Sequence, residues 1–115
     1  EYADNGRDYI SRSYDANGIL LRFEDYKFTS TQEIIRHYSA DGTWLLTDYY
    51  EDINQRHLMV KYEKADGSYV TFSWSDTGHT EFSYRADGTL ERTYYLDSSG
   101  NLIKTESPNG TVEIP

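Results

Sequence analysis

The sequence predicts an all-β fold, an antiparallel β-meander of about ten short strands with a repeat of about twelve residues. Two observations carry this prediction. Aromatic residues recur at every twelfth position, and dipeptides that favour turns keep the same period. The aromatic series is Tyr2, Tyr14, Tyr26, Tyr38, Tyr50, Tyr62 and Trp74. Asn-Gly and Asp-Gly favour hairpin turns of type I′, in which both central residues need a positive φ.

The turns divide the chain into short segments of strand composition. We place them at Asn5-Gly6, Asn17-Gly18, Thr29-Ser30, Asp41-Gly42, Ile53-Asn54, Asp66-Gly67, Thr77-Gly78, Asp87-Gly88, Ser99-Gly100 and Asn109-Gly110. The two turns without glycine are placed by the period alone. The segments between turns, such as 68–74 and 89–96, are rich in Tyr, Thr, Val, Phe and Trp, which strands favour. The last predicted strand, 111–114, is short, as edge strands often are.

Two-residue loops at these turns predict two rows of side chains across neighbouring strands. One row contains Tyr14, Leu21, Tyr38, Leu45 and Tyr62, and the other contains Tyr2, Tyr9, Tyr26, Glu33, Tyr50 and His57. Trp74 continues the second row if the Asp66-Gly67 turn shifts the register by one residue. Because side chains alternate along a strand, the rows lie on opposite faces. Aromatic residues on both faces predict a thin or single-layer twisted sheet.

A β-solenoid with twelve-residue coils is the alternative use of the same period. Such short coils leave room inside only for small side chains and usually need cross-links. This chain has bulky side chains and no cysteine, so the meander is favoured.

Composition limits the classes of partner. The length of 115 residues predicts one domain, 1–115. The net charge of -9 disfavours nucleic acids and anionic membrane surfaces, which attract basic proteins. No apolar run is long enough to cross a bilayer. The absence of cysteine excludes disulfides and zinc bound by cysteine.

No catalytic or metal-binding motif stands out. His37, His57 and His79 lack the spacing of known metal sites, and we predict no metal and no cofactor. Adjacent carboxylates, such as Glu51 and Asp52, point to opposite faces of a strand. The turn at 97–101 alternates oxygen ligands, yet calcium loops need more carboxylates. We predict that the chain is not an enzyme; the alternative is catalysis by Asp48 with His57 or His37.

Segments 13–22 and 37–50 resemble the β-meander extension of Gram-positive bacterial glycosyltransferases, which modify serine-rich adhesins and wall teichoic acids. The resemblance rests on a Tyr-x-x-Asp-Gly pattern and covers most of the chain. It implies a non-catalytic accessory domain that recognises acceptor proteins or associates subunits, with the catalytic domain elsewhere. It also implies the bacterial cytoplasm as the compartment.

Segment 100–112 resembles a unit of the Rhs/YD-type repeats. That resemblance implies a bacterial cell-surface or secreted module that forms a shell or binds carbohydrate. The segment Tyr14–Ile19 lacks the arginine that usually follows the glycine in these repeats, and the period is shorter.

The aromatic rows are the candidate binding residues: Tyr9, Tyr26, Tyr50, Trp74, Tyr14, Tyr38 and Tyr62. Tyrosine and tryptophan are enriched in protein interfaces and also stack on sugar rings. We therefore predict a binding or assembly module that associates with a protein partner or with itself. Carbohydrate binding through Tyr26 and Tyr50 is the second hypothesis.

Overall fold

The protein folds as the predicted all-β meander. The computed structural model describes residues 8–115, so Tyr2 and the turn at Asn5-Gly6 lie outside the described residues. Ten strands follow one another in the chain: β1 (Tyr9–Tyr14), β2 (Leu20–Phe28), β3 (Gln32–Ser39), β4 (Trp44–Ile53), β5 (Arg56–Lys64), β6 (Tyr69–Ser75), β7 (Gly78–Tyr84), β8 (Leu90–Asp97), β9 (Leu102–Glu106) and β10 (Val112–Glu113). No helix occurs within residues 8–115.

The chain forms two compact units, the first ending at Ala65 and the second beginning at Asp66. The first unit contains β1 to β5, and the second contains β6 to β10. Within each unit, every strand pairs antiparallel with the next one in sequence. The prediction of a single domain over 1–115 stays a prediction.

Five-residue turns close several of the hairpins, and their geometry differs from the type I′ prediction. In the turn from Ser39 to Thr43, the Gly42 N–H donates to the Ser39 carbonyl, and the Ser39 N–H donates to the Thr43 carbonyl. Gly42 has a φ of 89°, whereas Asp41 does not have a positive φ. The same two hydrogen bonds recur in the turns 15–19, 85–89, 97–101 and 107–111. These are three-residue loops that end on a left-handed glycine, the second commonest hairpin geometry.

A β-bulge follows four of these turns, always at the third residue after the glycine. The bulged residues are Leu21, Leu45, Glu91 and Ile103. Each is skipped by the pairing; for example, Tyr38 pairs with Trp44 while His37 pairs with Leu46. The three apolar bulge residues are exposed, with Leu21 at 50% of its surface. The predicted pairs of Leu21 with Tyr14 and of Leu45 with Tyr38 are therefore wrong.

The remaining hairpins are closed by shorter turns. Between β2 and β3 the Thr29 N–H donates to the Gln32 carbonyl, so the loop is Ser30-Thr31 and not Thr29-Ser30. Between β4 and β5 the loop is Asn54-Gln55, where both residues have a positive φ of 51° and 66°. Each loop lies one residue later than predicted, which moves the pairing partners by two residues.

Each unit is thin, as predicted. Among the described residues, Val70 is the one buried hydrophobic side chain, and the other buried residues are Glu24, Thr47 and Thr93. Directly paired aromatic rings stack on the sheet surface instead. The ring centroids are 4.4 Å apart for Tyr9 and Tyr26, 4.9 Å for Phe23 and Tyr38, and 4.8 Å for Tyr69 and Tyr84. Cross-strand pairs of this kind contribute about 0.2–1 kcal/mol each.

Substitution by alanine should lower the stability of the fold by different amounts at Gly42 and at Gly78. A Cβ on Gly42 meets no atom within 4 Å, so Gly42→Ala costs only the left-handed backbone, about 1 kcal/mol. A Cβ on Gly78 overlaps the Leu96 carbonyl oxygen of β8. We expect Gly78→Ala to lower the free energy of unfolding by more than about 2 kcal/mol, since the strands must separate. Urea titration followed by circular dichroism measures both, and equal losses contradict this explanation.

Candidate binding surface on the first unit

One face of the first unit, here called the front face, carries Tyr9, Tyr26, Tyr50, Tyr62 and the histidines His37 and His57. Direct pairing defines it, because paired residues share a face. Tyr9 pairs with Tyr26, Tyr26 with Ile35, Ile35 with Asp48, and Asp48 with Tyr62. The predicted grouping of Tyr9, Tyr26 and Tyr50 on one face is therefore confirmed.

The other predicted row is divided between the two faces. Tyr14 and Tyr38 lie on the opposite face, here called the back face, as predicted, but Tyr62 lies on the front face. The cause is a bulge at Val60, which is skipped between the pairs Tyr49–Lys61 and Tyr50–Met59. One extra residue in a strand moves the side chains beyond it to the opposite face of the sheet.

Trp74 lies on β6 in the second unit. Its ring stacks on His79 at 4.3 Å and lies 6.2 Å from Phe72. His79 in turn bonds Glu81 through Nε2 at 2.9 Å. Trp74 is thus part of an aromatic group of its own unit.

The predicted contact between Tyr50 and His57 exists, although the predicted pairing is wrong. Tyr50 pairs directly with Met59, because the β4–β5 loop lies one residue later than predicted. His57 is then the diagonal neighbour, which aromatic side chains still reach. The two rings stack at 5.1 Å with an angle of 10° between their planes. The predicted pairing of Glu33 with Tyr50 is confirmed.

Two carboxylates hold the His57 imidazole on opposite sides. Nε2 lies 2.6 Å from a Glu33 carboxylate oxygen, and Nδ1 lies 3.0 Å from a carboxylate oxygen of Asp52. Hydrogen bonds to Asp52 and then Glu33 raise the pKa of His57 above its ordinary value of 6.5. The imidazolium form can donate to both carboxylates, so this arrangement stabilises the protonated histidine relative to the neutral one.

A pocket of about 220 Å³ opens beside this histidine. Tyr50, His57, Glu33 and Asp52 line it together with the residues of the β2–β3 turn. Burial raises the pKa of Tyr50, so its phenol stays neutral and acts as a donor or acceptor at the pocket wall. The pocket therefore combines an aromatic wall with two carboxylates.

A second histidine on the front face also lies between two carboxylates, with a hydrogen bond to one of them. His37 Nε2 lies 2.9 Å from Asp48, and Nδ1 lies 3.7 Å from Glu24. Glu24 is buried and also bonds Arg22 Nε at 3.2 Å. The pair of Asp48 with His37, considered above for catalysis, is therefore one half of a bridge between two carboxylates.

The front face is acidic among its aromatic rings. Its described strand residues include the carboxylates of Glu24, Glu33, Asp48 and Asp52. Arg22 and Lys64 are the lysine and arginine residues of the described strands on this face. The four carboxylates therefore exceed these two cations by two charges when the histidines are neutral. Sequence reasoning missed this cluster because its carboxylates come from three strands, β2, β3 and β4, and the loop between β2 and β3 lies one residue later than predicted.

No group of three or more His, Asp or Glu side chains within residues 8–115 has an arrangement that could hold a metal ion. The same residues contain no helix long and apolar enough to cross a membrane.

Comparisons with known proteins assign no family to the chain. No protein-family model matches it, and neither a curated protein nor a solved structure is significantly similar to it.

The bridge at His57 predicts a specific titration. We expect Glu33→Gln to lower the pKa of His57, because one of its two anionic acceptors becomes neutral. Since the folded pKa is raised, the stabilising contribution is complete below pH 6.5 and is lost as the pH rises through the folded pKa. NMR titration of the imidazole resonances measures the pKa directly.

The matched control is Glu81→Gln, which removes the carboxylate beside His79 on the second unit. It should leave the His57 titration unchanged. A His57 pKa at or below 6.5 in the parent chain would contradict the bridge.

Proposed function

We propose that this chain is a non-catalytic binding or assembly module, and that the front face of its first unit recognises a basic segment of a partner protein. The observation that carries the proposal is the pocket in which the His57 ring lies between Glu33 and Asp52 and stacks on the Tyr50 ring. It offers an aromatic surface and two carboxylates at one place.

Aromatic exposure supports a macromolecular partner. Tyr9 is 48% exposed although its ring stacks on Tyr26. Rigid aromatic side chains supply contact area at low entropic cost and are enriched in protein interfaces. Since each unit is thin, its own strands leave these rings accessible to another molecule.

Charge supports a basic partner over a second copy of the chain. The net charge is -9, and two acidic front faces would repel each other. A lysine or arginine side chain has the opposite charge to Glu33 and Asp52. Its guanidinium or ammonium group would replace the His57 imidazolium as their donor and would lie against the Tyr50 ring.

A proton on His57 then competes with the partner for the same carboxylates. Binding of a basic side chain is favoured above the pKa of His57, where the imidazole is neutral. The affinity should therefore rise with pH, opposite to the pH dependence of the internal bridge.

The resemblance to glycosyltransferase extensions fits this proposal, because recognition of an acceptor protein is the role that it implies. The alternative is a cell-surface module of the Rhs/YD type that forms a shell or binds carbohydrate. Its support is the recurrence of one five-residue turn in both units, because a repeat-built module predicts such internal repetition.

A short fluorescein-labelled peptide of alternating arginine and serine tests the proposal by fluorescence anisotropy. We expect Glu33→Gln/Asp52→Asn to weaken binding by about tenfold, since both anionic partners of the basic side chain are lost. Tyr50→Ser should weaken it without any change of charge. Affinity of the parent chain should be higher at pH 8 than at pH 5.5.

Asp76→Asn/Glu91→Gln is the control, because it removes the same two charges from exposed positions on the second unit. Equal weakening by both double variants would mean that the peptide responds to net charge alone, and the proposed site would be wrong.

A further inference from the structure

The back face of the first unit carries a separate depression, which the proposed protein-binding function does not use. Its volume is about 310 Å³, and it is lined by Arg36, Tyr38, Trp44, Thr47, Tyr49 and Glu63. Thr47 forms its floor and is 1% exposed. The surrounding side chains rise from β3, β4 and β5.

The bulge at Leu45 builds this depression. Trp44 and Thr47 are three residues apart and would lie on opposite faces of a regular strand. Because Leu45 is skipped by the pairing, Trp44 faces the same side as Thr47. The indole Nε1–H then donates to the Thr47 hydroxyl at 2.8 Å, which holds the ring in place.

The other aromatic walls are also held by neighbours. Tyr38 stacks on Phe23 at 4.9 Å with 12° between the ring planes. Tyr49 interacts with the Glu63 carboxylate through a hydrogen bond, and burial raises its pKa, so its phenol stays neutral. The depression is therefore preorganised, with rings at its ends and polar groups at its sides.

The lining of the depression contains one cationic and one anionic side chain, Arg36 and Glu63. Thr47 pairs with Arg36 on one side and with Glu63 on the other, so a cation and an anion flank the floor on adjacent strands. A cationic ligand is opposed by Arg36 and an anionic ligand by Glu63. A neutral ligand that both donates and accepts hydrogen bonds satisfies both groups.

We propose that this depression binds a neutral carbohydrate, with one sugar ring stacked on Trp44 and its hydroxyls bound by Arg36 and Glu63. The C–H groups of a sugar ring are weakly positive and are attracted to the negative face of an indole. Hydroxyls accept from the guanidinium and donate to the carboxylate. The volume lies at the small end of ligand sites, which fits one or two sugar rings.

The second unit provides an internal comparison. Tyr84, Thr93, Tyr95 and Glu106 occupy the positions that correspond to Tyr38, Thr47, Tyr49 and Glu63, and the Tyr95 hydroxyl bonds Glu106 at 2.9 Å. Two positions differ. Leu90 corresponds to Trp44, and Phe82 corresponds to Arg36. Two of the three groups proposed to contact the sugar, Trp44 and Arg36, are thus specific to the first unit, while the third, Glu63, and the scaffold are shared.

This comparison supplies the test variants. Trp44→Leu and Arg36→Phe introduce side chains that the same fold already accepts in the second unit. Since the chain has two tryptophans, Trp74→Phe leaves Trp44 as the one fluorescent indole. We would titrate that variant with maltotriose, cellotriose and the trimer of N-acetylglucosamine, each up to about 20 mM, to cover millimolar affinities.

We expect at least one of these sugars to shift Trp44 emission in a saturable way. By NMR titration, Trp44→Leu and Arg36→Phe should each weaken that binding by about tenfold or more. Trp74→Leu, the matched loss of a tryptophan outside the depression, should leave it unchanged, as should Glu33→Gln/Asp52→Asn on the front face.

Three results would overturn the proposal. One is the absence of a saturable shift with all three sugars. Another is a sugar response that persists unchanged in Trp44→Leu. The third is a saturable response to tetramethylammonium chloride without one to sugars, which would make the depression a site for cations.

Discussion

The structure depends on the glycine-closed five-residue turn and on the bulge that follows it three residues later. The turn pairs Ser39 with Thr43 and therefore sets Tyr38 opposite Trp44. The next pair, His37 with Leu46, requires that Leu45 be skipped. This single extra residue decides which side chains of β4 share a face with those of β3. In a thin sheet, that choice determines the composition of both surfaces.

Stability in such a sheet comes from contacts between neighbouring strands. The paired rings of Tyr9 and Tyr26 and of Phe23 and Tyr38 bury each other in part while staying on the surface. Histidines bridge carboxylates from adjacent strands in the same way, as His37 does between Glu24 and Asp48. Each contact is local to two or three strands, so one position can change without disturbing a shared interior.

The fold class was predictable from the sequence because the turn signals and the aromatic period are local features. The pairing of Tyr9 with Tyr26 was also predicted correctly, for a reason that was not foreseen. The five-residue turn moves the register by one residue, and the bulge at Leu21 moves it back. Between the turn and the bulge, the register is still shifted by one residue. There the predicted pair of Tyr14 with Leu21 is wrong, and Tyr14 pairs with Leu20.

The candidate sites were less predictable, because their geometry depends on bulges, which hairpins predicted with two-residue loops do not contain. The Val60 bulge moved Tyr62 to the front face, and the Leu45 bulge brought Trp44 to Thr47. The contact of His57 with Glu33 and Asp52 joins residues from three strands. The pairing of Glu33 with Tyr50 was predicted correctly. The stacking of Tyr50 on His57 was also within reach of the sequence, since aromatic rings tolerate an error of two residues in register.

Comparison of the two units distinguishes the residues that form the shared scaffold from those that differ between the units. The turns, the bulges and the buried threonines Thr47 and Thr93 recur in both units, and they hold the strands in register. The positions that differ, such as Trp44 and its counterpart Leu90, point outward from that scaffold. A binding function in a repeat-built sheet is therefore located by what one repeat has and the next one lacks. By this criterion Trp44 and Arg36 are the residues that distinguish the first unit, because Leu90 and Phe82 occupy their positions in the second.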